Sequence, residues 1–333
     1  MPVKQAVLGC GRWGSFHLWY GSRVGNTMLG WEPGDAPGFR ELQKTGKNRY
    51  LELPDNIRLT TDLTEVSACD LITVAVPAQE FRKLASKLSG IDLSGTDIVL
   101  CMKGIEKVTG LRLSEIADQE GLNPRNLSVW VGPGHPQQFV AEVPSCMLIA
   151  SDRDDNAIRI SRLMSSDLIR FYWSRDMIGC EVGAAAKNVI GIAAGILDGL
   201  KLSGLKGALM ARAPQEVARL VAAMGGDWRS VYGLSHLGDY EATLFSPLSH
   251  NRIFGEAFAC GTVERISGLA EGVDTSYAIM TLADRYGVDM PITRTVRKIL
   301  DGDYPIMEAI SELFSRPEKE EFPESFMKMG AKD

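Results

Sequence analysis

Lys187 stands where a lysine has little reason to face water. Its neighbours three and four positions away along a helix are Ala184, Ile190, Gly183 and Gly191. The surrounding stretch, 182–200, repeats Val182, Ala186, Val189, Ala193, Ile196 and Leu200 at helical spacing. Removing an ammonium from water lowers its pKa, and a lysine titrating near neutrality can give or take a proton. The glycines beside it leave room for another group to approach. The alternative is a lysine whose stem follows the apolar surface and whose head reaches solvent. A second cation, Lys103, lies in Cys101-Met-Lys-Gly-Ile-Glu106, directly after an apolar run. It is either a contact for a bound ligand or a solvated loop lysine. A third group of residues is Gly233-Leu-Ser-His-Leu-Gly-Asp-Tyr240, followed by Thr243 and Ser249-His250-Asn251-Arg252. Gly233 and Gly238 mark a loop able to present Asp239. The four donors at 249–252 suit a phosphate at a helix start, or else an N-cap followed by an exposed basic residue.

The chain also carries Gly9-Cys10-Gly11-Arg12-Trp13-Gly14, a G-x-G-x-x-G pattern. It follows an apolar run, 3–8, and precedes a helical stretch, which is the context that gives the pattern meaning. Gly9 permits a tight turn, Gly11 lets the backbone approach a pyrophosphate, and Gly14 allows a helix to pack close to a strand. The helix N-terminus then presents N–H groups and the positive end of its dipole to the phosphates. Glu32 follows the second apolar run, 21 residues after Gly11. An acid there accepts hydrogen bonds from adenosine ribose hydroxyls and repels a 2′-phosphate, which favours NAD over NADP. Arg12 and Arg40 could still receive that phosphate, and Glu32 could instead be an exposed loop acid.

The elements that must position these residues divide the chain in two. Apolar runs at 3–8, 28–31, 70–77, 97–102 and 128–131 read as strands, with weaker candidates at 145–150 and 170–173. Most are apolar on both faces, as in a sheet covered on both sides. Helical stretches such as 78–88 and 111–120 lie between them, so the first half reads as α/β, a doubly wound, Rossmann-type parallel sheet. After about residue 180 strand signals fade. Stretches 213–224, 249–260, 267–269 with 275–286, and 291–300 read as helices. The expected organisation is a dinucleotide-binding domain at 1–178 and an all-α substrate domain at 179–333, with a frayed tail from 315.

Composition narrows the function classes. The sequence is 45% hydrophobic and 23% charged, as in ordinary globular proteins. A net charge of -6 provides no basic field for nucleic acid. Six scattered cysteines without CxxC spacing suggest reduced thiols in a cytosolic protein, not a disulfide framework or a zinc site. Residues 1–9 are too short for a secretory signal. The apolar stretch 182–200 contains Lys187, Asn188 and Asp198, so it reads as a buried helix and not a membrane span.

The sequence resembles the NAD(P)-dependent sn-glycerol-3-phosphate dehydrogenases of bacterial type. The resemblance is carried by Gly-x-Gly-x-Trp-Gly at 9–14, Asn48-Arg-Tyr-Leu-Glu-Leu-Pro54, Val74-Ala-Val-Pro-Ala-Gln79, Lys103-Gly-Ile-Glu106 and the long block from Glu181 to Leu200. Gly238-Asp239, Asn251-Arg252, Glu271-Gly272 and Pro291-Ile-Thr293 continue it, and the match runs to about residue 315. It implies that Lys187 transfers the proton at the substrate hydroxyl. It implies that Lys103 contacts both cofactor and substrate, and that Asp239 is a substrate-site acid orienting Lys187. Ser249, His250, Asn251 and Arg252 would hold the substrate phosphate. Trp13, Pro77 and Glu271 would line the cofactor site, and Gly132 and Gly134 the substrate site. Two departures touch substrate recognition. His250 replaces the arginine usual in a Ser-Arg-Asn-Arg motif, and Gly132-Pro-Gly-His-Pro-Gln-Gln-Phe139 is longer than the common Gly-Pro-Ser-Phe.

The expected activity is therefore interconversion of sn-glycerol 3-phosphate and dihydroxyacetone phosphate with NAD. The enzyme would supply glycerol 3-phosphate for glycerophospholipid synthesis, and the family implies a cytoplasmic homodimer. No metal is expected. One alternative is a dehydrogenase of the same architecture acting on another small hydroxy compound or hydroxy acid, which His250 favours. Another is a non-catalytic nucleotide sensor, which Lys103, Lys187 and Asp239 disfavour.

Overall fold

The computed structural model describes residues 2–265, 270–302 and 304–327. The chain divides into two compact units. The first comprises Met1–Met102 and Leu113–Met177, and the second comprises Lys103–Arg112 and Ile178–Asp333. The segment Lys103–Arg112, expected in the first domain, packs with the second unit.

The first unit is built on one eight-stranded sheet. Its strands are β1 (Lys4–Leu8), β2 (Thr27–Trp31), β3 (Arg58–Thr60), β4 (Leu71–Val74), β5 (Asp97–Leu100), β6 (Asn126–Val131), β7 (Ser145–Ala150) and β8 (Ile169–Ser174). Their spatial order is β3-β2-β1-β4-β5-β6-β7-β8. The first six are parallel; β7 runs antiparallel to β6 and parallel to β8. The 3-2-1-4-5-6 order is that of the dinucleotide-binding fold. Runs such as Leu71–Val74 are buried along their whole length, because helices cover both faces of the sheet. β4 stops at Val74 and not at the expected Pro77. The short β3 has no counterpart among the expected strands, since Arg58-Leu-Thr60 carries a single apolar side chain. The helix expected at 111–120 spans Leu113–Gln119.

Aromatic rings fill this unit's core. Phe16 stacks on Phe139 at 5.0 Å, and Trp130 meets Phe171 edge-on at 4.8 Å. His17 lies among them, 4.6 Å from Trp130, with neither ring nitrogen hydrogen-bonded among the described residues. Burial pushes its pKa down to about 3. An unfolded histidine titrates near 6.5, so below that pH the unfolded chain takes up a proton that the fold refuses. Stability from this site is thus complete above about 6.5 and falls by up to about 1.4 kcal/mol per pH unit on acidification towards 3. His17→Leu should flatten the decline of melting temperature between pH 6 and pH 4. Identical slopes for the variant and the parent would refute this account.

The second unit is helical. The helix Met177–Gly199 is long and apolar enough to cross a membrane by length and composition alone, yet 94% of its most apolar stretch is buried within the structure. It packs as a core helix, and glycines let it do so at very short range. A Cβ added at Gly195 would lie 1.9 Å from the carbonyl oxygen of Arg252, and one at Gly255 would lie 2.1 Å from that of Ile192. The helix His250–Ala259 therefore crosses it backbone against backbone. Gly272 approaches similarly, with its would-be Cβ 2.6 Å from the Asn188 carbonyl oxygen.

At the end of the chain one expectation changes. Residues 267–269 and 328–333 lie outside the described residues. Residues 315–327 do not fray throughout: Phe326 is buried, and its ring packs 5.7 Å from Trp228.

Candidate active site

In the first unit the helix Arg12–Arg23 starts directly after the glycine turn. Gly9 adopts φ +93°, where its Cβ would meet the Ala75 carbonyl oxygen at 2.8 Å. Gly14 packs so closely that a Cβ would lie 1.6 Å from the Gly9 carbonyl oxygen, whereas nothing lies within 4 Å of the place a Gly11 Cβ would take. The turn is thus closed on the sheet side and open above Gly11. The helix has no side-chain N-cap and no acid in its first turn. These are the conditions under which a helix N-terminus receives a phosphate. Glu32, just past β2, is half-buried and accepts a hydrogen bond from the Cys10 N–H. Burial raises its pKa and the Cys10 N–H opposes that rise.

Around this turn Arg12 donates to Gln137 Oε1 at 2.8 Å and lies 3.2 Å from His135 Nδ1. Trp13 packs edge-on to Phe16 at 5.6 Å. Asn48 donates to Ser15 Oγ at 2.6 Å, tying the 48–54 segment to the helix. Pro77 precedes a helical turn at Ala78–Glu80. Gly132 and Gly134 take φ +132° and +139°; a Cβ at Gly134 would run into the Phe139 ring at 2.4 Å.

The second unit gathers three ionised groups. Asp239 Oδ2 accepts from Lys103 Nζ at 2.7 Å and from Lys187 Nζ at 2.9 Å. Lys187 also donates to Thr243 Oγ1 at 2.8 Å. Asp239 is fully buried, and its Oδ1 has no hydrogen-bond partner among the described residues. Lys187 is 8% exposed. Burial and the Lys103 charge lower its pKa to about 8, while Asp239 and Glu271 hold it up; burial is the largest effect. One carboxylate shared by two ammonium groups leaves each cation incompletely neutralised, and the acid retains an unoccupied oxygen.

The local folding explains this convergence. Asn188, next to Lys187, donates to the Lys103 carbonyl at 2.9 Å and so fixes the Lys103 backbone. The turn Leu237–Asp239 is tied to the same helix by His236, whose Nδ1 lies 2.7 Å from the Gly183 carbonyl and whose Nε2 lies 2.6 Å from the Tyr240 hydroxyl. Burial lowers the His236 pKa to about 4, so the ring is neutral and bridges the two as Nδ1 donor and Nε2 acceptor. A single π-helical turn, Glu241–Phe245, then presents Thr243. Such turns are rare and recur at functional sites.

The 249–252 group separates. Ser249 is the N-cap of the helix His250–Ala259, accepting from the Arg252 N–H at 3.4 Å. His250 is its first residue and is exposed. Asn251 faces Gly191, one turn from Lys187, and its Oδ1 accepts from the Gly272 N–H at 2.9 Å beside Glu271. Arg252 departs from the expectation. Its guanidinium pairs with Asp198 and Glu256, both at 2.9 Å. Asp198 lies eleven residues beyond Lys187 on one helix, about 16 Å along its axis at 1.5 Å per residue. Arg252 therefore braces two helices and does not join the Lys187 cluster.

A family model described as NAD-dependent glycerol-3-phosphate dehydrogenase N-terminus matches residues 4–157, and its C-terminus counterpart matches residues 176–311. The chain belongs to the NAD-dependent glycerol-3-phosphate dehydrogenase family. The glycerol-3-phosphate dehydrogenase (NAD(P)+) of Prosthecochloris aestuarii is 37% identical over 329 residues, covering 95% of this chain and 98% of that one. Its namesake from Streptomyces coelicolor is 36% identical over 332 residues, covering 96% and 98%. The crystal structure of glycerol-3-phosphate dehydrogenase from Coxiella burnetii is similar with a TM-score of 0.88 at 29% identity, covering 95% of this chain and 99% of that one. D-mandelate dehydrogenase, at 16% identity and a TM-score of 0.59, shares the fold alone.

Some glycerol-3-phosphate dehydrogenase motifs are structural here. The Pro291-Ile-Thr293 segment opens the helix Pro291–Asp301, and the buried Glu216 caps it. Glu216 accepts from the Ile292 N–H at 2.8 Å, the Thr293 N–H at 3.0 Å and the Thr293 hydroxyl at 2.7 Å. Among the described residues no group of three or more His, Cys, Asp or Glu is arranged to hold a metal ion.

Proposed function

We propose that this family member interconverts sn-glycerol 3-phosphate and dihydroxyacetone phosphate with NAD(H), and that Lys187 moves the hydroxyl proton. The observation that carries this reading is the buried Lys187 ammonium, with a pKa of about 8, held on Asp239 and Thr243. The open turn above Gly11 and the uncapped helix N-terminus fit a pyrophosphate. Gly9, Gly11, Arg12, Trp13 and Gly14 would hold the dinucleotide, with Glu32 accepting from the ribose hydroxyls. That position of Glu32 supports NAD in preference to NADP. The nicotinamide, when bound, supplies or accepts the hydride.

In ketone reduction the Lys187 ammonium gives a proton to the oxygen that becomes the hydroxyl. In alcohol oxidation the neutral amine takes it back. Asp239 keeps both lysines pointed at one locus, and Lys103 supplies a second cation there. Thr243 accepts one Lys187 N–H and so restricts the ammonium's rotation. His250, Asn251 and the N–H groups of the helix they begin would receive the substrate phosphate. We further propose a cytoplasmic homodimer that supplies glycerol 3-phosphate for glycerophospholipid synthesis.

The test is NADH consumption with dihydroxyacetone phosphate against unphosphorylated dihydroxyacetone, followed across pH. Phosphate-dependent turnover is expected. The second ionisation of a phosphate monoester, near 6, lies below the relevant window. Because reduction needs protonated Lys187, kcat/KM for reduction should be level up to about pH 8 and fall about tenfold per unit above it. Oxidation needs the neutral amine and should show the mirror profile, falling below about 8. Profiles flat between pH 7 and 9 in both directions would remove Lys187 from this role.

A further inference from the structure

The second unit contains a cavity that shares no residue with the Lys103–Lys187–Asp239 cluster. It has a volume of about 560 Å³ and a wall of aliphatic side chains, among them Ile196, Leu209, Val296, Ile299 and Ile310. A smaller cavity of about 210 Å³ adjoins it, and Arg212, Arg219, Lys319 and Glu321 line both. Volumes of this size and lining are those of small-molecule sites: apolar walls and a few convergent polar groups.

The polar end holds an unsatisfied donor. Gln215 lines the smaller cavity, is 3% exposed, and its Nε2 has no acceptor among the described residues. A buried donor without an acceptor is costly, so its persistence points to a ligand atom that completes it. The cations beside it donate to backbone carbonyls. Arg212 reaches the Glu321 carbonyl at 3.5 Å, and Arg219 donates to the Asp289 carbonyl at 2.9 Å. Arg316 takes the Asp289 carboxylate at 2.5 Å. Burial and the charges of Arg212, Arg219 and Arg316 all lower the Lys319 pKa, with Asp289 acting against them. Glu216 also lines the larger cavity and its charge acts on Arg219, while its carboxylate oxygens are bonded to the helix it caps. Glu320 and Glu321 are exposed at the mouth.

We infer that these joined cavities are a binding site for a single-chain amphiphile with an anionic head. The aliphatic cavity takes the hydrocarbon chain, and Arg212, Arg219, Lys319 and the Gln215 amide take the head. A carboxylate and a phosphate monoester share the required chemistry, since both accept from forked guanidinium donors. The site is independent of the proton-transfer reading above.

The test is calorimetric titration of the whole chain with dodecanoate, dodecyl phosphate, dodecanol and inorganic phosphate. Both alkyl anions are expected to bind one per chain, dodecanol about tenfold or more weaker, and phosphate alone not to saturate over the same range. Whichever alkyl anion binds more tightly identifies the head. Arg212→Gln combined with Lys319→Gln should weaken the alkyl anions about tenfold and leave dodecanol unchanged, whereas Leu209→Trp should weaken all three alkyl ligands. NADH binding and the melting temperature serve as folding controls. If Leu209→Trp does not fold, the Arg212→Gln, Lys319→Gln protein carries the test alone. Dodecanol binding as tightly as dodecanoate would overturn the inference, as would unchanged anion affinity in the charge variant. So would a dimer in sedimentation velocity that Leu209→Trp dissociates while no alkyl anion binds, because the cavity's occupant would then be a second copy of this chain.

Discussion

Replacing Lys187 with alanine should lower kcat for dihydroxyacetone phosphate reduction by about 10²- to 10⁴-fold, the range a positioned proton donor contributes. NADH binding should survive, because the glycine turn and Glu32 belong to the other unit. The fold should survive too, since Asp239 keeps Lys103 as an ion partner at 2.7 Å and is not left as a lone buried charge. Lys187→Arg separates charge from titration: a guanidinium stays protonated throughout the accessible range and cannot cycle a proton. It should therefore also be slow. Turnover of the alanine variant within a few-fold of the parent would eliminate this residue as the proton carrier.

The second large effect is on folding. Gly195→Ala would place a methyl group 1.9 Å from one backbone atom and 2.7 Å from another on the helix His250–Ala259. Alanine favours a helix over glycine by about 1 kcal/mol, but overpacking costs about 1–3 kcal/mol or more, and here neither helix has a side chain to move aside. A clash with rigid backbone belongs at the upper end of that range, so we expect a net loss of about 2 kcal/mol, or about 4–8 °C in melting temperature. Gly207 is the control. It lies in the helix Lys206–Ala223 with nothing within 4 Å of the place its Cβ would take, so Gly207→Ala should stabilise by up to about 1 kcal/mol. Melting temperatures moving in the same direction in both variants would show that crowding is not the cause.

Much of the first unit can be read from the sequence because its requirements are local. A glycine pattern bounded by an apolar run and a helix admits few backbones, and Glu32 ends the next strand. Lys187 is legible for a similar reason: a lone cation among glycines and alanines cannot hide in a periodicity argument. Thr243 is only one member of a polar group in the sequence, and the π-turn decides which way it faces; one such turn leaves no periodic trace. Arg252 misleads because adjacency in sequence says nothing of direction. As the third residue of its helix it points back to Asp198 and forward to Glu256, while Asn251 faces the glycine surface. β3 escapes because three residues with one apolar side chain give no pattern. Phe326 escapes because a charged, proline-containing tail conceals its single anchoring ring.

The excursion of Lys103–Arg112 bears on how such proteins can be recombined. The chain passes between the two units three times, after residues 102, 112 and 177. A hybrid gene joined at 177, taking its front half from one relative and its back half from another, would therefore carry a mismatched graft. The back half would receive Lys103 and the backbone carbonyl that Asn188 grips from a foreign parent. Shuffling the halves as modules should give viable hybrids chiefly when the ten-residue excursion travels with the back half, making the exchangeable unit a discontinuous one.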